Sequence, residues 1–327
     1  PGRHIRASAT PARRPVSRRT SPGRASSRRR PSRRRRSRGF GRATVTLVFL
    51  GLVAFLVCAV ALMVRSAAPG EQDLAADGRE PAGAVEGSGP TTPPLDFSGF
   101  RAGDIISDDL FFDADAMSQE EVSTFIASWN AGCVAGPDAT PCLADLTETT
   151  PDVPADAFCP GGFEGAEGDS AASILTKAAQ GCGVSPKALL VILQKEQGLV
   201  TASGPALVPS RYRSAMGYAC PDTATCNDDF SGFARQVWFA ARQFRVYEGD
   251  PGHFSFRAGE TRPVLFNPDP DCGSRVVTME NQATAGLYNY TPYQPDDAAL
   301  SGSGSSCSSW GNLNFFAYWK AWFGDTH

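Results

Sequence analysis

The sequence predicts a mainly α-helical (α+β) domain with a small irregular or β insert, held outside a membrane by one N-terminal anchor helix. Three observations lead there. Beyond residue 97, apolar side chains recur at helical spacing in successive runs, with one Gly- and Pro-rich interruption at 249–280. Residues 43–64 are 22 residues without a charge, long enough to span a bilayer as a helix. Eight of the nine cysteines follow that span, as expected of an exported, disulfide-bonded domain.

Charge divides the chain at the same place. Residues 1–42 hold 16 of the 31 basic side chains and no acid. After Arg65, 14 basic residues face all 34 acidic ones, a balance of 14 − 34 = −20. Arginines before the span keep the N-terminus cytoplasmic and send the C-terminal part to the extracellular side. The span is too long for the apolar core of a cleaved signal peptide, so it reads as an uncleaved signal-anchor. Residues 1–42, rich in Arg, Ser and Pro, read as a disordered tail. Its simplest role is to set topology. Anionic lipid headgroups are its default contact, a cytoplasmic partner from envelope machinery is the alternative, and nucleic acid is not favoured. Residues 65–96, rich in Gly, Ala, Pro and acids, read as a flexible stalk.

Order begins near Leu95. Residues 97–164 form an extension containing cysteines. Within it, Ser118 and Glu121 make a capping-box pattern ahead of an amphipathic run to 129. A helix over 170–180 leads through Cys182 and Gly183 into a second over 185–198, suggesting a helical hairpin. Further helices are expected over 233–247, 281–290 and 314–323. Phe233, Val237, Ala240, Ala241 and Phe244 form the buried face of the first of these. Phe315, Phe316, Trp319, Trp322 and Phe323 make the last a core helix. Arg275 to Met279 reads as a short strand.

The exported cysteines are Cys133, Cys142, Cys159, Cys182, Cys220, Cys226, Cys272 and Cys307. Eight cysteines allow 105 connectivities. Cys133–Cys142 and Cys220–Cys226 are natural local pairs, and the others stay open. A zinc site is disfavoured. No CxxC occurs, and the histidines are only His4, His253 and His327. Neither a metal nor a cofactor is expected.

The most informative stretch is SPKALLVILQKEQG, residues 185–198. Ser185 suits the N-cap, Pro186 the first helical position and Gly198 the C-terminal cap. Leu189, Ile192, Leu193 and Glu196 share one face. Glu196 therefore extends an apolar stripe into the last turn, where the helix dipole disfavours a negative charge. Desolvation and the dipole should both raise its pKa, the condition a general acid needs.

Four segments in order resemble soluble lytic transglycosylases and goose-type lysozymes. They are LQKEQG at 193–198, RSAMGYAC at 213–220, the Ala-containing helix at 233–247 and LYNYTPY at 287–293. The resemblance covers about residues 165–327 and implies a lysozyme-like fold. The ectodomain also resembles actinobacterial secreted or anchored haemagglutinin-like proteins. The first resemblance implies cleavage of the β-1,4 bond between N-acetylmuramic acid and N-acetylglucosamine in peptidoglycan glycan strands. It makes Glu196 the catalytic acid and then base. Met216, Gly217 and Tyr218 would line the cleft, with Tyr288, Asn289 and Tyr290 facing the sugar and Tyr288 nearest the acid. Asp222, Asp228 and Asp229 are the candidates for a second carboxylate if the reaction is hydrolysis. Gln197 in place of the usual Ser, and AMGYAC in place of a Gly-Leu-Met-Gln turn, depart from the pattern. A non-catalytic adhesin or glycan-binding module on the same fold is the alternative.

Overall fold

In a computed structural model, residues 89–221 and 225–327 are described. The tail, the proposed span and most of the stalk lie outside them. Among the described residues no helix is long and apolar enough to cross a membrane.

The architecture is mainly helical, as the periodicity predicts. In chain order the helices are α1 (Asp108–Phe111), α2 (Gln119–Trp129), α3 (Ala171–Cys182), α4 (Pro186–Gln197), α5 (Pro209–Arg213), α6 (Phe233–Gly249), α7 (Gln282–Tyr290), α8 (Asp297–Leu300) and α9 (Gly311–Phe323). Two small antiparallel sheets accompany them. β1 (Thr147–Glu148) pairs with β2 (Asp169–Ser170), Thr147 opposite Ser170. β3 (Thr261–Leu265) and β4 (Ser274–Thr278) form a hairpin where an irregular or β insert is expected, in register from Thr261 opposite Thr278 to Leu265 opposite Ser274.

Local signals set most helix ends. The Ser118 hydroxyl accepts from the Glu121 amide at 3.2 Å, and the Glu121 carboxylate accepts from the Ser118 amide at 2.8 Å. That reciprocal pair opens α2. Ser170 caps α3, accepting from the Ser173 amide at 3.2 Å. Gly183 then takes the left-handed conformation that ends α3 and turns the chain into α4, completing the helical hairpin. At α4 the expectation needs correcting. Ser185 occupies the N-cap position, but its hydroxyl makes no capping bond and is buried without a partner. Its amide instead donates to the Phe111 carbonyl at 2.8 Å, tying α1 to the hairpin.

α4 is buried on every side rather than along one stripe. Every residue from Ala188 to Leu193 is fully buried. It packs against α9 and α3, while α3 also packs against α2 and α6, and α6 against α7. Each of those aliphatic side chains contributes about 1.5–3 kcal/mol by leaving water. One apolar core runs through the assembly. It takes Ile105, Phe111, Val122 and Ile126 from the 97–164 segment, and Leu189, Phe244, Phe315 and Trp319 from later helices. The expected apolar face of α6 is buried throughout. In α9, Phe315, Phe316 and Trp319 are core, while Trp322 and Phe323 are only partly buried against it.

Four disulfides staple the fold. Cys133–Cys142 and Cys220–Cys226 are the two local pairs, and Cys159–Cys182 and Cys272–Cys307 complete the set. The last joins the tip region of the β3–β4 hairpin to the loop that enters α9.

Candidate active site

Glu196 lies in the last turn of α4, where Gly198 closes the helix at φ +65°. Its side chain is 25 % exposed and opens into a cleft of about 470 Å³. One wall carries Gln197, Ser214, Gly217 and the Cys220–Cys226 bridge. Tyr290 to Tyr293, Ser309 to Gly311 and Pro268 complete the lining. Glu196 is the one carboxylate among the described lining residues. None of the described residues form a group of three or more His, Cys, Asp or Glu that could hold a metal ion.

The turn opposite Glu196 explains its glycine. Gly217 has φ +71°, and a Cβ there would stand 2.8 Å from Glu196 Oε2. A side chain at this position would be both strained and in collision with the carboxyl. The turn is fixed from α6 by Gln236, which is 1 % exposed. Gln236 Oε1 accepts from the Met216 amide at 3.2 Å and the Tyr218 amide at 3.0 Å. Its Nε2 donates to the carbonyls of Tyr218 at 3.0 Å and Phe230 at 2.9 Å.

The electrostatics at the helix end differ from the sequence expectation. The Lys195 ammonium, on a side chain only 2 % exposed, contacts Glu196 Oε1 directly. It also donates to Thr291 Oγ1 at 3.1 Å. The Arg211 guanidinium donates to the Gln197 carbonyl. Two cations thus meet the negative end of the helix dipole, which the periodicity sets against Glu196 alone.

The aromatic assignments shift by two residues. Tyr288 is fully buried beside Phe256, with its hydroxyl unpartnered, and does not reach the cleft. Burial pushes its phenol well above the usual value. Tyr290 is the tyrosine at the acid. It lines the cleft, stacks on Phe244 with centroids 4.9 Å apart, and donates to the Met216 carbonyl at 2.7 Å. Burial first, and then the Glu196 charge, hold its phenol well above the ordinary range. Residues two apart on a helix point about 200° apart, so only one of the pair can face the cleft.

Other expected residues have structural work. The Met216 side chain is fully buried, and only its backbone serves the turn. Tyr218 stacks on Phe239 and meets Phe230 edge-on, away from the cleft lining. Asn289 pins the Phe256 segment, accepting from its amide at 2.9 Å and donating to its carbonyl at 2.8 Å. Asp228 is exposed and paired with Arg213 at 2.7 Å, and Asp229 lies in a separate apolar groove beside Trp238. Neither reaches the Glu196 cleft. Asp222 lies outside the described residues.

Sequence reasoning missed Lys195, Gln236, Tyr293 and Trp310. Gln236 carried a signal: an amide on the otherwise apolar face of α6. Trp310 carried none, because it reaches the cleft from a loop held by Cys272–Cys307 and by Ser309 Oγ donating to the Phe266 carbonyl at 2.6 Å. Comparison with family models, curated proteins and solved structures returns no match.

Proposed function

We propose that the protein is a membrane-anchored enzyme that cleaves peptidoglycan glycan strands, with Glu196 as the single general acid and then base. The observation that carries this reading is the position of Glu196, partly exposed as the sole described carboxylate of an open cleft. The lining suits a glycan. Ser214, Thr291 and Ser309 line it with hydroxyls, and Tyr293 and Trp310 with aromatic rings of the kind that stack on sugars. The resemblance to lytic transglycosylases supplies the bond, the β-1,4 link between N-acetylmuramic acid and N-acetylglucosamine, and a lysozyme-like fold.

One carboxyl suffices for transglycosylation, whereas hydrolysis needs a second carboxylate or a held water; Glu196 is the one carboxylate among the described lining residues. Glu196 would give its proton to the glycosidic oxygen as the C1–O bond breaks. The resulting carboxylate would take the proton of the muramic 6-hydroxyl as O6 closes on C1. The proton is restored, no water is consumed, and the product carries a 1,6-anhydro end. The anchor and stalk would hold this activity near the membrane, where division or envelope machinery works.

Purified full-length protein incubated with peptidoglycan should release 1,6-anhydromuropeptides, identified by mass spectrometry. Glu196→Gln should lower release roughly 10²–10⁴-fold. Undiminished release from that variant would sink the assignment. Reducing-end products would instead indicate hydrolysis and direct attention to Asp222.

A second reading, a glycan-binding module without turnover, is favoured by the Lys195 contact. The contact occupies Oε1, one of the two carboxyl oxygens that a glycan would otherwise meet. This reading predicts wall binding with no product.

A further inference from the structure

Lys195 is one of four lysines in the chain, and its side chain is 2 % exposed. Burying an ammonium without a counter-charge is strongly unfavourable. Its ion pair among the described residues is with Glu196. Its remaining contacts come from the end of α7: the Thr291 hydroxyl at 3.1 Å and the Tyr290 ring, 5.8 Å from the ring centroid. Thr291 is itself fixed from α9, where Asn312 donates to its carbonyl at 2.9 Å. The ammonium thus has a neutral anchor on α7 besides its ion pair with Glu196.

The carboxyl is bounded on both oxygens. Lys195 engages Oε1, and Oε2 faces the bare backbone of Gly217. Consecutive helix residues diverge by about 100°, so helix geometry alone does not bring the Lys195 and Glu196 heads together. Their convergence needs the Thr291 anchor on one side and the open glycine on the other.

We propose that Lys195 is the positioning residue of this site: its buried ammonium, anchored on Thr291, holds the Glu196 carboxyl at the cleft, and Glu196 is the counter-charge that lets Lys195 stay buried. The effect on turnover rests on the reading of Glu196 as the working acid; the effect on stability does not. The other titratable groups of the cleft lining are Tyr290 and Tyr293. Burial and the Glu196 charge keep Tyr290 neutral far above neutral pH.

The test is a double-mutant cycle on the full-length protein, with Lys195→Met, Glu196→Gln and the double variant. Thermal unfolding is read for all four proteins, and turnover against peptidoglycan concentration for wild type and Lys195→Met. Glu196→Gln strands the ammonium and should lower Tm by about 4–10 °C. Adding Lys195→Met should restore much of that loss. Lys195→Met alone should lower kcat more than it changes KM. Additive Tm losses would overturn the pairing. An unaltered kcat in Lys195→Met would overturn the positioning role. A wild-type chain without turnover would remove the enzymatic reading while the Tm cycle still decides the pair.

Discussion

Replacing Gly217 with Ala asks whether the Glu196 carboxyl works where the structure puts it. Two costs follow from the geometry. A non-glycine residue at φ +71° carries about 1–2 kcal/mol of left-handed strain. The new Cβ would also stand 2.8 Å from Glu196 Oε2 and 3.2 Å from its Cδ. Either the turn or the carboxyl must move by a few tenths of an ångström or more. The turn is held by three hydrogen bonds to the buried Gln236 amide and by Tyr290. The carboxyl should therefore yield. Small misplacements of a reacting group cost up to about 10²-fold in rate. Gly168 is the control, with φ +68° and no atom within 4 Å of where a Cβ would sit, so Gly168→Ala carries the strain alone. Both variants should lose about 2–8 °C in Tm. Only Gly217→Ala should also lose activity, by roughly 10- to 100-fold, in a peptidoglycan release assay. Equal activity in the two variants would mean that the carboxyl does not act from this position.

Three further outcomes follow from the structure. Asp169 is buried, which pushes its carboxyl up, but hydrogen bonds from Lys177, Thr150 and Ser173 outweigh burial and hold it below the usual carboxylate range. A lowered folded-state pKa means the contribution is full above about pH 4 and fades as pH falls through the folded value. Denaturant titrations should thus show Asp169→Asn costing about 1.5–3 kcal/mol at pH 7, with the gap to wild type narrowing below pH 4. Replacing Cys272 and Cys307 together by Ser opens a loop of 35 residues in sequence separation. It should cost about 2–4 kcal/mol in unfolding free energy and weaken glycan retention through the freed Trp310 wall. Tyr290→Phe leaves the Met216 carbonyl without its 2.7 Å partner. It should cost about 1–3 kcal/mol in the same assay, whereas Tyr288→Phe, which removes an unpartnered hydroxyl, should be neutral or stabilising.

Features that neighbouring residues settle among themselves were legible in the chain alone. The capping box at Ser118 and Glu121, the Pro186 and Gly198 ends of α4, and the short Cys133–Cys142 and Cys220–Cys226 loops each act over short stretches of chain. The burial of the α6 face followed from its period. Which way each side chain at the site points was settled by packing in three dimensions. A helix advances about 100° per residue, and nothing local fixes its rotation relative to a cleft. Packing of α7 on α6 turns Tyr288 into the core and Tyr290 toward Glu196. Contacts from distant segments buried Met216, carried Asp228 and Asp229 away, and set Trp310 in the cleft lining. Lys195 is the sharpest case: its partner is its neighbour in sequence, yet the pair forms because Thr291, 96 residues on, anchors the ammonium beside it.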